Sequence, residues 1–130
     1  MPLQGSGIVI FNTKRTHILL ILDSRSEKWS IPKGHWETYD ASLLDTAIRE
    51  VQEETHFLWG YDYMIDCTAG VFLNYMIYEG YAPSMQLRAQ SSEKEHVSKI
   101  AWIDLQTILT LPINHVTKLW YYAYSRTQTS

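Results

Sequence analysis

The chain has 130 residues with 45% apolar content, enough for one domain with a real core. Eleven Lys and Arg against fourteen Asp and Glu give a net charge of −3, which argues against a domain that grips DNA or RNA through a broad basic face. A single cysteine, Cys67, excludes an internal disulfide and a cysteine zinc cluster, and with a non-basic N-terminus it points to a reducing, cytoplasmic setting.

In chain order, Gly7 to Phe11 and His17 to Asp23 are β-rich apolar runs joined by a polar turn, and they predict a hairpin. Trp29 to Ile31 predicts a short strand stopped by Pro32, and Lys33 to Tyr39 reads as a loop. Ser42 predicts the cap of a helix running to Thr55, with Leu44, Ala47, Ile48, Val51 and Thr55 on its inner face. Met64 to Tyr78 holds one or two strands, and Met85 to Ala89 a weaker one. Ile100 to Ile103 is a strand and Leu105 to Leu109 a helical turn. Asn114 caps a last helix from His115 to about Tyr124, with Val116, Leu119, Trp120 and Ala123 inward. This order predicts an α/β (α+β) domain, a mixed β-sheet with helices packed on it. No apolar run is long enough to cross a bilayer, so no membrane partner is expected.

Glu50, Glu53 and Glu54 stand at i, i+3 and i+4 of the first helix, within an arc of about 100°. Like charges at this spacing repel, and a hard divalent cation reverses the sign. Between Gly34 and His56 six acids (Glu37, Asp40, Asp45, Glu50, Glu53, Glu54) face one base, Arg49. That segment is therefore −5 and the rest of the chain +2: a slightly basic domain with one concentrated acidic site, suited to metal-dependent phosphate chemistry. Cys67, with no base beside it, reads as a buried structural thiol.

The segment Pro32-Lys33-Gly34-His35-Trp36-Glu37, then Asp40, then Arg49-Glu50-Val51-Gln52-Glu53-Glu54-Thr55-His56 resembles the Nudix box. That pattern is Gly, five residues, Glu, seven residues, Arg-Glu, an aliphatic residue, any residue, Glu-Glu, any residue, Gly. Gly34, Arg49, Glu50, Val51, Glu53 and Glu54 match. Asp40 stands where the pattern has Glu, one residue is inserted before Arg49, and His56 replaces the last glycine.

The resemblance implies the Nudix fold, a mixed β-sheet sandwiched between helices, and metal-dependent hydrolysis of a pyrophosphate linked to a nucleoside, with Mg²⁺ or Mn²⁺ as cofactor. It implies Glu50, Glu53, Glu54 and the Gly34 carbonyl as metal ligands. Arg49 is expected to pair with neighbouring acids, Asp40 or Glu37, and fix their orientation. Glu53 is the first candidate for the general base and Glu95 the second, with His96 beside it. Pro-Lys-Gly-His-x-Glu, the Glu95-His96 pair and Leu73-Asn74-Tyr75 are similar to the diadenosine tetraphosphate hydrolases of the family. On that likeness Lys33 contacts phosphate, Tyr75 stacks on adenine, and the partner is a small nucleoside polyphosphate bound by a monomer or homodimer. Competing substrates are an mRNA cap or a diphosphoinositol polyphosphate, for which Arg88, Lys94 and Lys99 are the available basic set. The competing class is a nucleotide-binding module that no longer cuts.

Overall fold

The protein is described by a computed structural model, in which residues 2–89 and 96–128 are described. Among these residues seven strands form one mixed sheet: β1 (Gly5–Asn12), β2 (His17–Asp23), β3 (Lys28–Ser30), β4 (Lys33–His35), β5 (Met64–Phe72), β6 (Tyr75–Ala82) and β7 (Val97–Asp104). Two helices, α1 (Leu43–Thr55) and α2 (His115–Thr127), and a 3₁₀ turn at Ile108–Thr110 complete the fold.

β1 is buried along its whole length because it has a neighbour on every side. It runs parallel to β6 and antiparallel to β2 and β4. The period-2 alternation of strand side chains then sorts the core into two layers. Val9 and Phe11 pack with Ile18, Leu20, Val116 and Trp120, under α2. Ile8 and Ile10 pack with Leu19, Ala47, Val51 and Phe57, under α1. The helices therefore cover opposite faces of the sheet, the sandwich that the resemblance implies.

The local signals hold at both helix starts. Ser42 Oγ accepts from the Asp45 amide at 3.1 Å, and Asn114 Oδ1 accepts from the Thr117 amide at 3.1 Å. His56 closes α1 in the left-handed region at φ 65°, doing the work of the glycine it replaces.

Several expectations need correction. Lys33 to His35 are not loop: they pair with Gly7 to Gly5 of β1 as a short strand. Met85 to Ala89 form no strand, since β6 already has β1 and β5 on its two edges. Arg88 of that segment instead grips Asp62, with Nε and Nη2 donating at 3.0 to 3.1 Å. Met64 to Tyr78 resolves into a hairpin whose second strand runs on to Ala82, and Leu73 and Asn74 turn it with φ of 48° and 70°. Two positive φ values in a two-residue loop match the right-handed twist of the strands they join. The helical turn expected at Leu105 lies three residues later. On α2, Thr117 joins the buried face: its Oγ1 accepts from the Ile31 amide at 2.9 Å. Cys67 is exposed rather than buried, on the outer strand β5, and partial burial followed by the charge of Glu79 holds its thiol above the ordinary value. Among the described residues no helix is long and apolar enough to cross a membrane.

Candidate active site

The site lies where β4 meets the middle of α1. Glu50 is 2% exposed and Glu54 4% exposed. An ordinary solvated acidic face is excluded by those two values, because a buried carboxylate needs strong compensation. The helix carries them inward because Ala47, Val51 and Thr55 dock on the sheet and Glu50 and Glu54 flank that contact.

Compensation comes from β4 and from Arg49. The Lys33 backbone amide donates to Glu54 Oε1 at 3.1 Å. His96 Nε2 stands 3.4 Å from Glu54 Oε2. Gly34 lies so close to Glu50 that a Cβ on it would coincide with the carboxylate. Its carbonyl lies against Gly5 of β1, where a side chain would meet that oxygen.

Arg49 is the hub that the resemblance implies. Its Nε and Nη2 donate to the two Asp40 oxygens at 2.9 and 2.8 Å, and Nη2 also donates to the His35 carbonyl at 3.1 Å. Its Nη1 reaches Glu50 at 3.4 Å and both oxygens of Glu53 at 3.2 and 3.3 Å. Asp40 is thus the partner, not Glu37, and the extra residue before Arg49 does not disturb the pairing. The Arg49 guanidinium holds the Asp40 carboxyl well below the usual carboxylate range, against the burial that would raise it. Thr46 Oγ1 adds a bond to the same carboxylate at 2.8 Å.

A cleft of about 330 Å³ opens over Glu50 and Glu54. Lys33, His35, Tyr75 and His96 share its wall, and the β2–β3 turn and the start of β3 bring Arg25 and Lys28 to it. That volume suits a small ligand. The cleft gathers Lys33, Gly34, Glu50, Glu54 and Tyr75 from the expected residues; Glu53 and Arg49 lie beside it rather than in its lining. Glu53 is the most exposed of the three glutamates, with 28% of its side chain accessible. Glu95 and Lys94 lie outside the described residues.

Burial pushes the Lys33 ammonium down from its ordinary value, opposed by the charges of Glu54, Glu50 and Asp23. Asp23 sits at the cleft rim and its carboxyl lies at about 2: burial raises it, and Arg25 with the amides of Arg25 and Ser26 more than offsets this. Arg25 and Lys28 were not foreseen as cleft residues. The signal available was two basic residues, one in the turn before the short strand that leads into Pro-Lys-Gly and one at its start.

Among the described residues no three His, Cys, Asp or Glu side chains already stand as an ion cage, since Arg49 is inserted between Glu50 and Glu53. The donor chemistry nevertheless fits a hard cation. Two buried carboxylates one helical turn apart supply anionic oxygens, and Mg²⁺ normally completes its shell with water and substrate phosphate.

Residues 1–123 match the NUDIX domain, and the chain belongs to that family. The chain is 32% identical over 104 residues to the 111R protein of Invertebrate iridescent virus 3, named as a hydrolase, a match covering 76% of this chain and 59% of the viral protein. It is 30% identical over 115 residues to the m7GpppN-mRNA hydrolase of Saccharomyces cerevisiae, covering 83% of this chain and 11% of the yeast enzyme. The chain thus spans only part of the length of either relative. Its fold is similar to that of a C. elegans Ap4A hydrolase solved as a binary complex, with a TM-score of 0.74, 18% identity and 95% of each chain covered. Nudix hydrolases generally depend on a divalent metal, and the mixed sheet between two helices is the fold of the family.

Proposed function

We infer that this chain hydrolyses a pyrophosphate bond in a nucleoside polyphosphate, with Mg²⁺ or Mn²⁺, and that its substrate is a dinucleoside polyphosphate such as diadenosine tetraphosphate. The carrying observation is the pair of buried carboxylates, Glu50 and Glu54, at the floor of a cleft walled by Lys33. Burying two like charges side by side costs stability, and a divalent ion held by Glu50 and Glu54 would turn that cost into binding.

Glu50, Glu54 and Glu53 would hold the metal, with the Gly34 carbonyl as the fourth candidate. When bound, the ion neutralises charge on the phosphates and lowers the pKa of a bound water. Arg49, anchored on Asp40, fixes the Glu53 carboxylate through Nη1 and keeps Glu50 in place. Glu53 is the candidate base because it alone of the three glutamates keeps a sizeable solvent-facing surface, where a proton accepted from water can leave. Glu95 is the alternative base. Lys33 brings its positive charge to the cleft for the phosphate chain.

The likeness to the yeast mRNA hydrolase favours a second substrate, the mRNA cap. A cap is itself two nucleosides joined by a polyphosphate, so both substrates ask the same of the cleft. A panel of diadenosine tetraphosphate, capped RNA, diphosphoinositol polyphosphate and nucleotide sugars, with product analysis and Glu53→Gln as control, separates them. Diadenosine tetraphosphate is expected to yield a nucleoside triphosphate and a monophosphate. No turnover of any member, with nucleotide still bound, would leave a binding module. Full activity in Glu53→Gln would remove its role as base and direct attention to Glu95.

A further inference from the structure

Lys33 and Tyr75 enter the cleft from different strands, β4 and β6, which flank β1 on its two sides at this end. The Lys33 ammonium sits 4.1 Å from the centre of the Tyr75 ring. The His35 ring also lies against Tyr75, at 6.1 Å between centroids and 24° between planes. Tyr75 is only 9% exposed. A ring so covered has little face left for an adenine. It does have a face for a cation, because the π-electrons of an aromatic ring attract an ammonium group.

The geometry points to Tyr75 as a positioning residue that holds the Lys33 ammonium at the cleft wall, so that Lys33 meets the substrate polyphosphate and the base stacks elsewhere. Lys33 has Glu50 and Glu54 as neighbours, and both attract its charge. Without another resting place its flexible four-carbon stem would let the ammonium settle on those carboxylates, where it would compete with a divalent ion. The Tyr75 ring supplies that resting place while leaving the ammonium able to turn its N–H donors to phosphate. Tyr75 is itself fixed by the Leu73-Asn74 turn before it and by its register opposite Gly5. The inference rests on the reading of this cleft as a polyphosphate site.

The first test needs no turnover. In wild-type protein the Lys33 Hε protons should resonate upfield of those of the other lysines, from the ring current of Tyr75. Tyr75→Phe should keep that shift and Tyr75→Leu should abolish it. Lys33 protons at ordinary positions in the wild type would overturn the inference whatever the enzyme does.

The second test is kinetic, on the substrate that the panel identifies. Tyr75→Leu should raise KM about five- to thirtyfold with kcat within about twofold, and Tyr75→Phe should restore the wild-type KM. In the Lys33→Gln background, Tyr75→Leu should add no further loss. Equal impairment of Tyr75→Phe and Tyr75→Leu, or additive losses in the double variant, would overturn it. Should Tyr75→Leu fail to fold, the wild-type shift and the Lys33→Gln and Tyr75→Phe comparison still decide. An inactive wild type with an upfield Lys33 would count against the catalytic reading and leave the Tyr75–Lys33 contact standing.

Discussion

The Glu50 carboxylate occupies the space that a side chain on residue 34 would fill, so Gly34 and Glu50 determine each other. One residue belongs to a strand and the other to a helix, and their contact fixes how closely α1 approaches β4. Gly34→Ala should therefore push Glu50 out of its buried position. Overpacking of this kind costs about 1–3 kcal/mol, which lowers Tm by roughly 4–11 °C in a domain of this size. The loss should be seen in metal-free melts, together with weaker binding of Mg²⁺. An unchanged Tm and an unchanged metal response would mean that Glu50 has room to move aside.

Glu50 and Glu54 provide the direct test of the metal site. If an ion binds only the folded protein, Mg²⁺ at a hundred times its Kd adds about 2.7 kcal/mol, or roughly 8–12 °C in Tm. Glu50→Gln and Glu54→Gln should each lose most of that gain. In the absence of metal Glu54→Gln should melt no lower than wild type, because it removes one of two adjacent buried charges. A full Mg²⁺ response in both variants would place the ion elsewhere.

Much of this was legible from single residues with local effects. Ser42 and Asn114 cap their helices because a side-chain oxygen reaches an amide three positions on, which depends on nothing distant. Arg49 and Asp40 follow from the motif. The different surroundings of Glu50, Glu53 and Glu54 were not legible. The helical arc treats the three alike, and it is β4, more than a dozen residues earlier in the chain, that covers Glu50 and Glu54 and leaves Glu53 at the edge. Thr117 is absent from the inner face read for α2 for the same reason: its partner, the Ile31 amide, is 86 residues away. Met85 to Ala89 look like a strand by composition, but the sheet offers β6 no free edge for them.

Asp40 and Arg49 make a pH prediction. The folded-state pKa of Asp40 is depressed, so its contribution to stability is complete above the ordinary carboxylate value and fades as pH falls through the folded one. At neutral pH Asp40→Asn should cost about 1.5–3 kcal/mol, the range for hydrogen bonds to charged groups. The Tm difference between wild type and Asp40→Asn should hold steady above about pH 5 and shrink as the pH is taken below about 4. Activity should fall too, since Arg49 loses the anchor that aligns it on Glu53. A difference that is constant down to the most acid pH would mean that the bond does not depend on the charge of Asp40.

His56 offers the opposite sign. It ends α1 at φ 65°, its amide donating to the Gln52 carbonyl at 2.9 Å. A residue with a Cβ is strained in this region by about 1–2 kcal/mol relative to glycine, while glycine gives back part of that advantage through its freer unfolded chain. His56→Gly should therefore stabilise the protein by about 0.5–1 kcal/mol, a rise of a few degrees in Tm. The substitution restores the residue of the family pattern and leaves every carboxylate of the site in place. Hydrolysis rates should match wild type at temperatures where both are folded. A lower Tm would show that the contacts of the His56 side chain outweigh the strain of its backbone, and that this chain has adapted the helix end to histidine.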